Sequence, residues 1–429
     1  MRLTSLLVLV TACSPRSSVV LCDTPGVMAS QTCTSDDCTP CVGLAKMPID
    51  ADPAFATELF ITPEDDLDWP AIDAALADGD VAVRFSGEWP DALQILRTDD
   101  GPHRLLLDGT SADGDRARFA GATTTEDDVK RSRVTLRGFE LAHSSSQTVY
   151  WRAGDEVILE DLVLHDNGRS PALMLDYANR SGLPSTGLVV RNNHLYDVSG
   201  ECIYIGGAED TGGPSHSDVR IENNLIHGCG HKVHWGDDLD GINIKDGIAP
   251  VVIRRNVISE THWGMQIDSP ALIEQNVIFD ILDHGIMLGD QWGASYSTAV
   301  IRDLAVLRSK ESGVYVGADH VPTDGVTLER LTVADVDDFG VEFAGASGVV
   351  ANLADVLFVG DMGAFKGWGD VSLEVTGCSL AAGAVPGQFG ADCVATDDAL
   401  VDPDSPAGPD GLFFTEDDGW RSRSGAGAR

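Results

Sequence analysis

Positive charge is what this chain has least of. Its 429 residues carry 29 lysines and arginines against 68 aspartates and glutamates, a formal charge of −39. Phosphate backbones and anionic lipid repel such a chain, which excludes passive nucleic-acid binding and attachment to a membrane through a basic patch. Aromatic residues are sparse, at 6%, and fit small buried layers better than a large helical core. No Gly-rich phosphate loop, nucleophile elbow or dinucleotide fingerprint stands in a suitable context. What is abundant is glycine, 46 residues, beside a 43% hydrophobic content. A sizeable core with many turns follows, and global disorder is excluded.

The N-terminus reads as an export signal. Arg2 supplies a short positive region, Leu6 to Val10 lie in an apolar stretch, and Val10-Thr11-Ala12-Cys13 closes it with small residues. The apolar run is too short to span a bilayer. It resembles a bacterial lipoprotein signal, which implies lipidation of Cys13 and membrane contact only through that lipid, at an outer membrane or cell surface. An ordinary signal peptide and a secreted product are the alternative. The remaining cysteines are even in number, as expected in an oxidising compartment. Four lie between Cys22 and Cys41 in a Ser/Thr/Asp/Pro-rich tether. Cys202 with Cys229 and Cys378 with Cys393 are plausible disulfide pairs.

The middle of the chain repeats itself. Segments 134–141, 157–164, 188–195, 219–226, 251–258, 271–278, 299–306 and 326–333 align, each with alternating apolar residues, a turn position and a second apolar pair. Their sixth places hold Phe139, Leu162, Asn193, Asn224, Asn256, Asn276, Leu304 and Leu331, spaced by 20 to 32 residues. A second strand follows, as in Gly241-Ile-Asn-Ile-Lys245, Gly264-Met-Gln-Ile-Asp268 and Gly285-Ile-Met-Leu-Gly289. Period-two strands without helical periodicity predict an all-β solenoid, a parallel β-helix whose coils stack about 4.8 Å apart. The four asparagines are expected to form an internal ladder that satisfies turn backbone.

These repeats resemble the right-handed parallel β-helix proteins, the superfamily of pectate lyases and related carbohydrate-active enzymes. The resemblance covers roughly 134–360. It implies a single solenoid, here 52–395, after a signal (1–13) and a tether (14–51), and a polysaccharide partner for a monomeric chain. Segment 68–76 reads as the short N-terminal capping helix of that family, with Asp68 as N-cap and Pro70 in the first turn. The last segment, 396–429, is acidic and Gly/Pro-rich and is expected to run uncoupled from the solenoid.

Strand alternation points Ile242 and Ile244 inward, so Asn243 and Lys245 face outward with Tyr204, Gln266 and Asp268. Glu201, Asp240, Trp263 and His284 share the preceding turn column. Lysine is scarce, which singles out Lys245 among acidic neighbours. It is the candidate base for β-elimination next to a uronate carboxylate, a reaction that also needs a cation on that carboxylate. Asp237, Asp238, Asp240 and Asp268 are the candidate calcium ligands. The stretch Asp240-Gly-Ile-Asn-Ile-Lys245 is similar to the Asp-Gly-x-x-x-Lys of some β-helix pectate lyases. Tyr204, Asn243, Trp263, Gln266 and His284 are the candidate substrate contacts. A surface ion-pair ladder around Lys245 is the structural alternative. A non-catalytic glycan- or partner-binding protein and a glycoside hydrolase with paired aspartates are the functional ones.

Overall fold

The computed structural model describes residues 18–21, 27–33, 42–49, 51–97, 101–111, 113–124, 129–168, 171–175, 183–206, 216–230, 239–245, 248–289, 298–317, 325–344, 349–367, 371–387, 393–397, 400–402, 404–416, 418–422 and 427–428. A helix, Trp69–Leu76, precedes a stack of parallel coils. Asp68 caps it by accepting from the Ala71 amide at 3.1 Å, and Trp69, Ile72 and Leu76 are buried against the first coils. The coils build one 21-stranded sheet, with two strands per coil, and one 12-stranded sheet, with one.

A single coil shows why. Strand Val251–Arg254 ends at Arg255, whose φ of 54° turns the chain. Strand Val257–Ser259 ends at Glu260, φ 53°, and the chain crosses to Met265–Ile267 in the second sheet. The first turn repeats at Asn192, Asn223, Gln275, Asp303 and Arg330, all in the left-handed region. Asn and Asp tolerate that region well, and the register pays no penalty for polar residues at an outer corner.

Inside, each strand stacks its apolar residues on the next: Val190, Ile221, Ile253, Ile273 and Ile301 are in register and fully buried. Each such side chain contributes about 1.5–3 kcal/mol. The entrance to the second-sheet strands is tighter. A Cβ on Gly264 would lie 2.3 Å from the Gly285 carbonyl oxygen and 2.6 Å from Ile278, which explains the glycine that opens those strands.

The asparagine ladder is present. Asn193, Asn224 and Asn256 each donate through Nδ2 to Oδ1 of the next asparagine at 2.9–3.0 Å, ending on Asn276. Each Oδ1 also accepts a backbone amide from the preceding coil. Phe139, Leu162, Leu304 and Leu331 continue the position as apolar residues at either end.

Outside, the first strands carry a second ladder. Arg84, Asp108, Arg137, Glu160, Arg191, Glu222, Arg254, Glu274, Arg302 and Glu329 lie side by side in consecutive coils, alternating in sign. Arg84 and Arg137 both reach Asp108 at 2.8 Å, Arg191 reaches Glu160 at 2.8 Å, and Arg302 reaches Glu274 at 2.6 Å.

The described parts of both terminal segments are packed. Strands Ser18–Leu21, Val27–Cys33, Val42–Ala45 and Leu412–Phe413 form a four-stranded sheet. Asn192 bonds both the amide and the carbonyl of Met47, and Asn223 donates to the Ala45 carbonyl. Met28, Leu44, Phe413 and Trp420 are buried with Val257, Val277 and Leu307. The segment expected to run uncoupled is therefore packed where it is described. Its few large apolar residues cover outward strand positions that alternation alone would leave in water. Disulfides join Cys202 to Cys229 and Cys378 to Cys393, and the second pair links register neighbours in the last coils. Among the described residues, no helix is long and apolar enough to cross a membrane.

Candidate functional site

The outer face of the 12-stranded sheet carries one in-register column, Thr123, Tyr150, Met174, Tyr204, Asn243, Gln266, Met287, Tyr315, Glu342 and Lys366. Tyr204, Asn243 and Gln266 thus lie in neighbouring coils, as the repeat predicts. Lys245 and Asp268 follow their strands by one residue and are neighbours by the same register. In the turn before the strands, backbone bonds place Glu201, Asp240, Trp263, His284 and Ser312 in a second column.

Outward does not mean exposed here. Asp240 and Asn243 are 0% exposed, Gln266 1% and Asp268 2%, while Lys245 is half-buried. Asn243 Nδ2 donates to Asp240 Oδ2 at 2.7 Å, and Gln266 Nε2 donates to Asp268 Oδ2 at 3.2 Å. Each amide therefore turns a nitrogen to its carboxylate. Asn243 Oδ1 is buried, and among the described residues no group donates to it. Asp240 before the strand, with the Asn243 amide oxygen, and Asp268 after the next one are oxygen donors of the type calcium takes, at opposite ends of the strand pair. Asp237, Asp238 and Cys13 lie outside the described residues.

A second cluster lies two coils on. His284 is 7% exposed, and its ring stacks on Tyr315 with centroids 4.3 Å apart. Its Nδ1 accepts the Ser312 amide at 3.2 Å, while Nε2 faces Asp283 Oδ1 at 3.3 Å and Glu311 Oε2 at 3.5 Å. Burial holds His284 below the usual histidine range, against the pull of Asp283 and Glu342. A neutral ring whose Nδ1 accepts must carry its proton on Nε2. That proton points at the two carboxylates, where a transition metal would need a bare nitrogen. Asp283, His284 and Glu311 are thus a poor zinc site although their ligand atoms lie within 4.8 Å of one another.

Sequence reasoning selected His284 but missed Asp283 and Glu311, which stand 28 residues apart across a coil of unequal length. It also missed the buried pair His194 and His227, whose Nε2 atoms are 3.0 Å apart on the other sheet. Trp263 is half-buried in the turn column, with its ring 5.4 Å from His262.

A family model described as "Right handed beta helix region" matches residues 181–380. No curated protein matches the chain. Similar solved structures include XylC in complex with xylose, at 12% identity and TM-score 0.41, covering 66% of this chain and only 56% of that one. The surface protein and adhesin PfbA of Streptococcus pneumoniae matches at 11% identity and TM-score 0.44, covering 78% of this chain and 98% of that one. An alginate lyase from Paenibacillus sp. matches at 15% identity and TM-score 0.38, covering 75% and 99%. At these identities the likeness is one of architecture, and the architecture is a right-handed parallel β-helix.

Proposed function

We propose that this chain is an extracytoplasmic polysaccharide-active protein, lipid-anchored at Cys13, that cleaves uronate polymers by calcium-assisted β-elimination. The observation that carries the reading is the register neighbourhood of Lys245 and Asp268, with Asn243 and Gln266 two residues before them on the same outer column and Asp240 bonded to Asn243 from the preceding turn. Lys245 takes the proton next to the substrate carboxylate, and the bond to the leaving glycosidic oxygen breaks as the double bond forms. Calcium held at Asp268, the carboxylate next to Lys245, would supply positive charge against the substrate carboxylate and offset the hold of the aspartate on the lysine proton, with Asp240 and the Asn243 amide oxygen as the further oxygen donors of the face. Tyr204 and Gln266 line the same column and orient the sugar.

The test is a panel of uronate polymers with and without calcium, read by the absorbance of unsaturated products. Wild type should give product that chelation and Lys245→Ala abolish. Absence of product across the panel, or equal rates in wild type and Lys245→Ala, defeats elimination. A second reading, glycan binding without turnover, is favoured by the depth of the Asp240–Asn243 pair. Retention on an immobilised glycan with no product would establish it.

A further inference from the structure

The cluster at Asp283, His284 and Glu311 has no role in that elimination. We propose that Asp283 and Glu311 are a hydrolytic carboxylate pair for the glycosidic bond of a neutral polysaccharide, with His284 as their positioning residue. The inference rests on the carbohydrate reading above, but on neither Lys245 nor a cation.

The fold brings the groups together by register, since the Glu311 amide donates to the Asp283 carbonyl at 3.1 Å. What distinguishes them from a chance acidic patch is the histidine between them. It is buried, stacked on Tyr315 and fixed in one tautomer by the Ser312 amide, so it presents a single proton to two carboxylates. The carboxylates also differ in setting. The Glu311 side chain is 54% exposed and that of Asp283 22%. Burial, then Asp283, Asp338 and Glu342, raises Glu311 above the usual carboxylate range, while Lys366 opposes this weakly. The outer residue is therefore assigned as the proton donor, and the inner one, beside the His284 N–H, as the nucleophile. A carboxyl held above its usual range next to a second carboxyl in a different setting is the pattern of an acid and a nucleophile.

Their oxygens lie within 4.8 Å, too close to hold a water between them and the sugar. That separation fits retention rather than inversion, which requires roughly 6.5–9.5 Å. In the first step Glu311 gives its proton to the glycosidic oxygen, the bond from that oxygen to the anomeric carbon breaks, and Asp283 bonds to that carbon. In the second, Glu311 takes a proton from water, the water oxygen bonds to the anomeric carbon, and the ester to Asp283 breaks. The substrate class follows from charge. Asp338 and Glu342 flank the pair, and the lysines nearby are already engaged, Lys366 by Glu342 at 2.8 Å and Lys310 by Asp337 at 3.6 Å, so a polyuronate is repelled and a neutral glycan is not.

The experiment incubates the full chain with neutral glucans, xylans and mannans and reads reducing ends, with the anomeric configuration followed by NMR. Expected are products of retained configuration, a loss of about 100-fold or more on polymer in Glu311→Gln, and, from dinitrophenyl glycosides with that variant, a burst of dinitrophenol followed by slow turnover, because the first step no longer needs the acid while the second still lacks its base. Azide should restore turnover in Asp283→Ala and yield the glycosyl azide. His284→Phe, which keeps a ring against Tyr315 but cannot donate, should move the alkaline limb of the rate profile to higher pH, because the carboxylates lose a donor, whereas a purely structural role would leave the limb in place. No reducing ends from any neutral glycan, an inverted product, or full activity in Glu311→Gln overturns the proposal. Unsaturated uronate products are a separate signal, so elimination and hydrolysis stand or fall independently.

Discussion

Two outward-facing columns run the length of this solenoid and obey opposite rules. On the first strands, Arg84 to Glu329 alternate in sign coil by coil, and each charge finds its partner in the adjacent coil. On the 12-stranded sheet, Tyr204, Asn243, Gln266, Met287, Tyr315 and Glu342 follow no pattern, and their amides bond sideways to carboxylates of the same coil. A regular column satisfies itself and needs nothing from outside. An irregular one is what a bound molecule with its own irregular chemistry would select.

The largest effect tests the self-satisfied kind of column from inside. Asn256→Ala should cost about 4 kcal/mol, because the Asn224 amide and side chain and the Ile221 carbonyl all lose a buried partner. Replacing all four ladder asparagines by leucine should cost less per site, since the partners disappear together; denaturant unfolding measures both. Next, Arg191→Glu should cost about 3 kcal/mol by placing a third carboxylate between Glu160 and Glu222, which are nearly buried. Burial already pushes Glu160 up against the pull of Arg191 and Arg137. Arg191→Met should cost distinctly less. Equal losses would mean that the alternation in sign is incidental.

A smaller effect concerns the one stretch of the irregular column that behaves like the ladder. Burial pushes Glu342 up, but hydrogen bonds from Lys366 and Ser312 outweigh it and hold the carboxyl below its usual range. A depressed acid stabilises the fold above its unfolded value of 4.5, and that contribution is lost as pH falls through the folded value. Lys366→Met should therefore weaken the protein by about 1 kcal/mol near neutrality and leave it unchanged at pH 2, as followed by thermal unfolding against pH. The smallest effect is expected at Lys245. Lys245→Ala should shift stability by less than about 1 kcal/mol while removing activity, whereas a loss comparable to Arg191→Glu would move Lys245 to the structural side of the comparison.

The coil repeat, the second strand, the capping helix and the asparagine ladder were legible because identity recurs there at one place in each segment. The charge ladder was not, although all of its central members sit in the aligned segments. Arg137, Glu160, Arg191 and Glu222 each read as an ordinary surface residue, and only their sequence of signs carries the information. The site was legible as a flank but not as a pocket: alternation says that Asn243 and Asp268 point outward, yet their burial depends on what lies over the strand. Asp283 and Glu311 escaped because turns of unequal length hide a shared column from any fixed spacing. The packing of Phe413 and Trp420 escaped because an acidic composition averages away two anchoring side chains.

The alternating column also gives the solenoid a parity. Loss of the single coil that carries Glu222 would set Arg191 against Arg254, while loss of the next coil as well would set Arg191 against Glu274 and restore the sequence of signs. Lengthening or shortening of this molecule, in descent or by design, should therefore proceed two coils at a time along 84–329, even though the hydrophobic interior would accept one.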